Sequence, residues 1–271
     1  MLVFAAFVPH SPLLLPAIGK EPNEAITKLR TDLHEVSETL YATKPDTVVF
    51  LSTHGTQFPN AFSIQLHDPY HINLSSFGDL SPSRGYRCDT ALIDRIQRAT
   101  RKNGIPMSLN TDEALDYGPG VPIKLLLEPF SKLKTVAITW SGLSAKEHVA
   151  FGRTLREVIE DSNERIAVVA TGDLSHALSH DSPEGFHEEG PHFDATVCEA
   201  LQHVSLSRLM SLEGEASLRA AQCAFPSLLM LFGVLDRTDL TPTFIAYEKP
   251  FGVGMAIATF YLPALLEPEG S

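Results

Sequence analysis

Three histidines share one sequence context. His10 follows the apolar run 2–8, His54 follows 47–52, and His176 follows 165–171, each within a few residues. Short runs rich in Val, Ile, Phe and Ala read as buried strands. Each histidine therefore stands just past the carboxyl end of a strand. Imidazole is the commonest protein ligand for iron, copper and zinc, and it is the side chain that exchanges a proton near neutral pH. A single such histidine is ordinarily a loop residue hydrogen-bonded to backbone. Three of them point to metal binding or acid/base chemistry at one sheet edge, provided the strands are neighbours. The stretch 171–194 then holds four histidines, His176, His180, His187 and His192, among carboxylates. A loop this polar after a buried strand suits the wall of a site. Within it, Glu188 and Glu189 read as solvated, and His180, His187 and His192 as loop or rim residues.

The elements that must position these residues are legible from periodicity. Ile26, Leu29, Leu33, Val36 and Leu40 recur at spacings of three and four, which predicts an amphipathic helix over 21–43. With its flanking strands it makes a strand–helix–strand unit. A right-handed crossover of that kind puts both strand ends, and so His10 and His54, on the same edge of a parallel sheet. Ligand sites of open α/β sheets lie along that edge. Further on, the patterns predict helices over 89–103, 122–129, 145–160, 194–211 and 224–235. They predict strands over 134–140, 165–171, 241–247 and 254–262. Asp116-Tyr117-Gly118-Pro119-Gly120-Val121-Pro122 reads as a turn feeding the helix at 122. No repeat and no linker interrupts the chain. The expectation is one domain over 1–271, an α/β sandwich with a largely parallel central sheet flanked by helices, and a frayed tail at 266–271.

Composition bounds the function. The 271 residues suffice for a sizeable core, and 44% hydrophobic with 20% charged residues is ordinary for a globular domain. The formal net charge of −12 disfavours nucleic acid and anionic membrane surfaces as partners. Cys88, Cys198 and Cys223 are odd in number and far apart, which argues against a disulfide framework and fits a reducing cytoplasm. The apolar start has no basic segment before it and is broken by Pro9 and Pro12, so it does not read as a signal peptide. No apolar run approaches the roughly 20 residues of a membrane span.

The ordered motifs Pro9-His10-Ser11-Pro12, Ser52-Thr53-His54-Gly55, Gly172-Asp173-Leu174-Ser175-His176 and Phe193-Asp194 resemble those of the class III extradiol ring-cleavage dioxygenase superfamily, which also contains the Memo-type proteins. Tyr247 to Met255 resembles the closing strand of its smaller members. The resemblance runs through nearly the whole chain. It implies an α/β sandwich around one divalent metal, iron(II) first, with zinc or copper as alternatives. It implies that His10 and His54 bind that metal and that His176 is the histidine that acts as acid/base or, in some members, approaches the metal. It also implies a small aromatic diol or aminophenol and O2 as substrates, with a homo-oligomer or partner subunit compatible with the family. The third ligand falls just before a C-terminal helix, where this chain has Gln222-Cys223-Ala224 and relatives tend to have Glu-Cys-Gly. Cys223 is the expected ligand and Gln222 the competing position; the bland alternative for Cys223 is a buried packing residue. Tyr117 stands where many relatives have His, and its phenol is expected to face a bound substrate, with His180 and His192 at the rim. Phe225 or Phe251 is expected in an apolar wall against the ring. Glu248 reads as structural.

Overall fold

The computed structural model describes residues 1–81 and 84–262, so the expected frayed tail lies outside them. In chain order the elements are β1 (Leu2–Val8), α1 (Glu24–Ala42), β2 (Thr47–Ser52), β3 (Phe62–Gln65), β4 (His71–Ile72), β5 (Arg87–Cys88), α2 (Thr90–Lys102), β6 (Met107–Asn110), β7 (Ala114–Leu115), α3 (Tyr117–Leu126), β8 (Lys134–Thr139), α4 (Ala145–Glu160), β9 (Ile166–Thr171), α5 (Glu189–His203), α6 (Leu206–Met210), α7 (Glu215–Arg219), α8 (Phe225–Leu235), β10 (Thr241–Glu248) and β11 (Met255–Tyr261).

Among the described residues, the main sheet runs β10-β11-β1-β9-β2-β8-β3-β6, with β5 added beside β8. The centre is parallel: β1 pairs β9, β9 pairs β2, and β2 pairs β8. The closing hairpin β10–β11 is antiparallel, as are its pairing with β1 and the β3–β8 pair. The α/β sandwich with a largely parallel sheet is therefore what this chain folds into. β1, β2 and β9 are buried at every position, as strands covered on both faces must be. The crossover through α1 runs from β1 toward β2, and the one through α4 runs back from β8 to β9. Right-handed crossovers in opposite directions lie on opposite faces. Accordingly α1 packs with α3, and α4 packs with α2 and α8. No helix among the described residues is long and apolar enough to cross a membrane.

Register decides the geometry of the edge. Val8 pairs with Thr171, and Leu51 pairs with Ala170, so three neighbouring strands end level with one another. The sequence could place His10, His54 and His176 at strand ends; the insertion of β9 between β1 and β2 makes those ends adjacent.

Two helices depart from expectation. α3 starts at Tyr117 and not at 122. The Asp116 carboxylate caps it, accepting from the Gly118 N–H at 2.9 Å. Pro122 cannot donate to the Gly118 carbonyl four residues back, and the Thr171 hydroxyl donates to that carbonyl instead, at 3.2 Å. The proline that read as a turn signal thus ties α3 to the end of β9. The helix expected over 194–211 is divided. α5 ends where Val204 turns left-handed, with φ 47°, and α6 begins at Leu206.

Candidate metal centre

His10 lies two residues past β1, and its ring is buried, with 2% exposure. Its backbone N–H donates to the Asp173 carboxylate at 3.1 Å. His54 lies two residues past β2, with its N–H held by the Ser52 hydroxyl at 3.0 Å. The two rings meet edge to face, with centroids 4.8 Å apart. Cys223 arrives from the far end of the sequence, on the loop before α8. All residues of α8 except Pro226 are buried, so this helix is a fixed anchor. The loop is bonded onto the end of β9: Cys223 N–H donates to the Asp173 carbonyl at 3.2 Å, and His176 N–H donates to the Ala220 carbonyl at 3.2 Å.

Two glycines permit these approaches. A Cβ on Gly118 would stand 2.6 Å from His54 Cβ, so only glycine lets the start of α3 lie against that histidine. A Cβ on Gly172 would stand 2.5 Å from the Ala224 Cα, next to Cys223.

The outcome is a cluster. One donor atom each from His10, His54 and Cys223 lies within 4.8 Å of the others. Cys223 Sγ is 3.2 Å from His10 Nε2, and the Tyr117 hydroxyl is 3.0 Å from His54 Nε2. His176 lies beside both histidines: its charge would depress the His10 pKa, and that of His54 would depress its own. Gln222 faces elsewhere. Its carbonyl oxygen accepts from the Phe225 N–H at 2.6 Å, at the start of α8, and its amide donates to the Ser217 hydroxyl at 2.8 Å.

The electrostatics suit a cation. Burial pushes the Asp173 carboxyl up to about 7, and burial together with the nearby Asp173 pushes the Cys223 thiol up to about 12. Burial also holds His10, His54 and His176 below their usual range, hence neutral at pH 7. Among the described residues the buried His10 Nδ1 has no hydrogen-bond partner. Two neutral imidazoles, a thiol and a buried carboxyl beneath them make a donor set that fits a divalent ion such as zinc, iron(II) or copper. A bound ion would reverse the thiol's preference, because a coordinating sulfur is deprotonated.

His180 and His192 are exposed. His180 packs on Phe186, with ring centroids 5.6 Å apart, and His192, on α5, accepts from Thr196 through its carbonyl; neither has a bond or ring contact with the cluster. Phe225 is buried and meets Phe193 edge to face at 6.5 Å. Phe251 is exposed and left-handed at φ 55°, and lines a separate cavity with Leu13, Ile18 and Ile26. Among the described ring contacts neither ring meets His10, His54 or Tyr117. Glu248 is ion-paired with Lys28. A polar cavity of 380 Å³, lined by Gly55, Thr56, Asp112 and Asp116 among others, abuts the sequence neighbours of His54 and Tyr117.

Three supporting residues carry no role in the sequence reading. The Asp173 carboxylate holds the His10 loop, while its own N–H points at Cys223 Sγ, 3.3 Å away. The buried Asp194 carboxylate accepts from Ser175 N–H at 2.8 Å and from the Tyr247 hydroxyl at 2.7 Å, tying the His176 loop to β10. Both aspartates stand inside the motifs already noted, and their place there is the only signal a sequence offers. Tyr247 has none.

Three comparisons with known proteins bear on this arrangement. The family described as the catalytic LigB subunit of aromatic ring-opening dioxygenase matches residues 4–258. Protein CA_C1420 of Clostridium acetobutylicum is 26% identical over 259 residues, which cover 92% of this chain. The chain spans 55% of that relative's length. A solved structure, of the uncharacterized protein JW3007 from Escherichia coli K12, shares the fold with a TM-score of 0.68 at 19% identity, over 96% of this chain and 99% of that one.

Proposed function

The chain belongs to the family of the catalytic LigB subunit of aromatic ring-opening dioxygenases, and from that premise we propose that it is a metal-dependent oxidoreductase that opens a small aromatic diol or aminophenol with O2. His10, His54 and Cys223 hold the ion. The observation that carries this reading is the convergence of those three donors, His10 and His54 from just past β1 and β2 and Cys223 from the loop bonded to the end of β9, with the neutral His176 beside them.

When bound, iron(II) supplies a Lewis-acidic and redox-active centre that gathers diol and O2. The rest falls to the chain's own groups. His176 accepts the phenolic proton at an imidazole nitrogen and returns it later, a general base and then a general acid. Its low pKa keeps it ready to accept at neutral pH. Asp173 fixes the His10 and Cys223 loops against each other, and Asp194 fixes the His176 loop. The polar cavity beside His54 and Tyr117 gives the diol its way in. All three cysteines are free, which supports a reducing compartment such as the cytoplasm.

Cys223 favours a second reading. Non-heme iron oxygenases use two histidines and a carboxylate, and here the carboxylate position is taken by sulfur. A Memo-type metal protein of the same fold, acting by redox chemistry or through a protein partner, would keep such a set without cleaving rings.

One experiment separates the two. Protein purified without oxygen is assayed for metal, reloaded with iron(II), and followed for oxygen uptake over a panel of catechols and aminophenols. The leading reading expects one bound ion per chain, uptake with at least one diol, and a ring-opened product. Bound metal with no uptake on any member of the panel transfers the protein to the second reading. Failure to bind metal contradicts both.

A further inference from the structure

Tyr117 is placed more tightly than a substrate contact requires. It is the first residue of α3, fixed by the Asp116 cap, by the Thr171 hydroxyl on the Gly118 carbonyl, and by Gly118 lying flush against His54. Phe77 closes over its ring, with centroids 5.1 Å apart. The ring meets His54 at 4.5 Å and His10 at 5.6 Å, so it borders both histidines of the centre.

We propose that Tyr117 is a fourth protein ligand, its phenolate oxygen joining His10, His54 and Cys223 on the same ion. The inference rests on the metal centre proposed above and adds a donor to it. The separations support it. Two ligands about 2.1 Å from one ion at a tetrahedral angle stand roughly 3.4 Å apart. The Tyr117 hydroxyl is 3.0 Å from His54 Nε2, and Cys223 Sγ is 3.2 Å from His10 Nε2. Four donors thus form two close pairs, brought together by His10–His54 and His10–Tyr117 ring contacts. Three donors leave a tetrahedral ion one position short, and the Tyr117 phenol is hydrogen-bonded to the ring nitrogen of one of them. On binding, the O–H proton passes to the buffer as the oxygen–metal bond forms. A diol could then take the phenol's place, one of its phenolic protons passing to the released Tyr117 oxygen.

The alternative is that the hydroxyl only hydrogen-bonds the His54 ring. Loss of such an outer partner also weakens a metal, by about 10–100-fold, so affinity alone does not decide. The test therefore reads the ligand itself. Wild type, Tyr117→Phe and Cys223→Ser are loaded anaerobically with iron(II), and one equivalent of ferricyanide takes one electron from each iron. Resonance Raman spectra are recorded, with circular dichroism as the check on folding. The proposal expects phenolate ring modes in wild type and Cys223→Ser, their loss in Tyr117→Phe, and iron bound about tenfold or more weakly in that variant. Loaded wild type without phenolate modes, or modes that persist in Tyr117→Phe, overturns the fourth ligand and leaves the three-residue centre standing. If wild type binds no iron, the centre and its fourth ligand fall together.

Discussion

Replacing His10 or His54 by alanine is expected to reduce bound metal from about one ion per chain to less than about a tenth, with affinity lower by more than about 100-fold. Loss of an outer-shell partner already costs about 10–100-fold, and these residues are the ones proposed to supply the donor atoms themselves. Such ions are held by three or four protein ligands, and either substitution removes one of the two imidazoles from that set. His10 is the more demanding case because it is buried and its backbone is pinned by Asp173. The backbone bond survives the substitution, so the loop stays in place while the ring is lost. Elemental analysis after anaerobic gel filtration, beside a thermal melt as the folding check, reads the result. Full stoichiometry in both folded variants would sink the assignment.

The second large effect belongs to His176. His176→Ala is expected to retain its metal and to turn over a diol at least about 100-fold more slowly, the scale of a lost acid/base. The loop should hold without the ring. Its geometry comes from backbone bonds, His176 N–H to the Ala220 carbonyl and Ser175 N–H to Asp194, and not from the imidazole. The pH dependence follows from the same burial. A base whose pKa is pushed below 6.5 stays unprotonated down to that range. In wild type kcat/KM should fall only as the pH drops below 6.5, and that acidic limb should vanish in the variant. Loss of metal in His176→Ala would make the residue a ligand. Full activity would remove it from the chemistry.

How much of this a sequence can carry depends on the range of the interactions involved. β1, β2 and β9 are continuous apolar runs, and α1 is a clean three-and-four pattern, so local periodicity suffices for them. The histidines at the strand ends come with those strands. That the ends meet depends on strand order, which no local pattern contains. The start of α3 was hidden because Gly118, Pro119, Gly120 and Pro122 are turn residues by propensity; a hydroxyl from β9, about 50 residues away, supplies the bond that lets them be helical. β4, β5 and β7 are two residues long, too short for a period to register. At 222–223 the ambiguity was real, since neighbouring residues on a loop point in different directions. The Gln222 amide is spent on α8 and Ser217, while the Cys223 sulfur faces His10. Asp173 reaches the His10 backbone across 163 residues of sequence, and such a contact becomes visible only in the folded chain.

X-ray absorption of the metal-loaded protein tests the central claim most directly, because it counts sulfur at the ion without reference to any reaction. For a zinc-loaded sample the account predicts one sulfur scatterer at about 2.3 Å beside nitrogen and oxygen at about 2.0–2.1 Å, with the sulfur absent from Cys223→Ser. A first shell fitted by nitrogen and oxygen alone in the wild-type protein would contradict it, and would return Cys223 to the packing of the loop before α8.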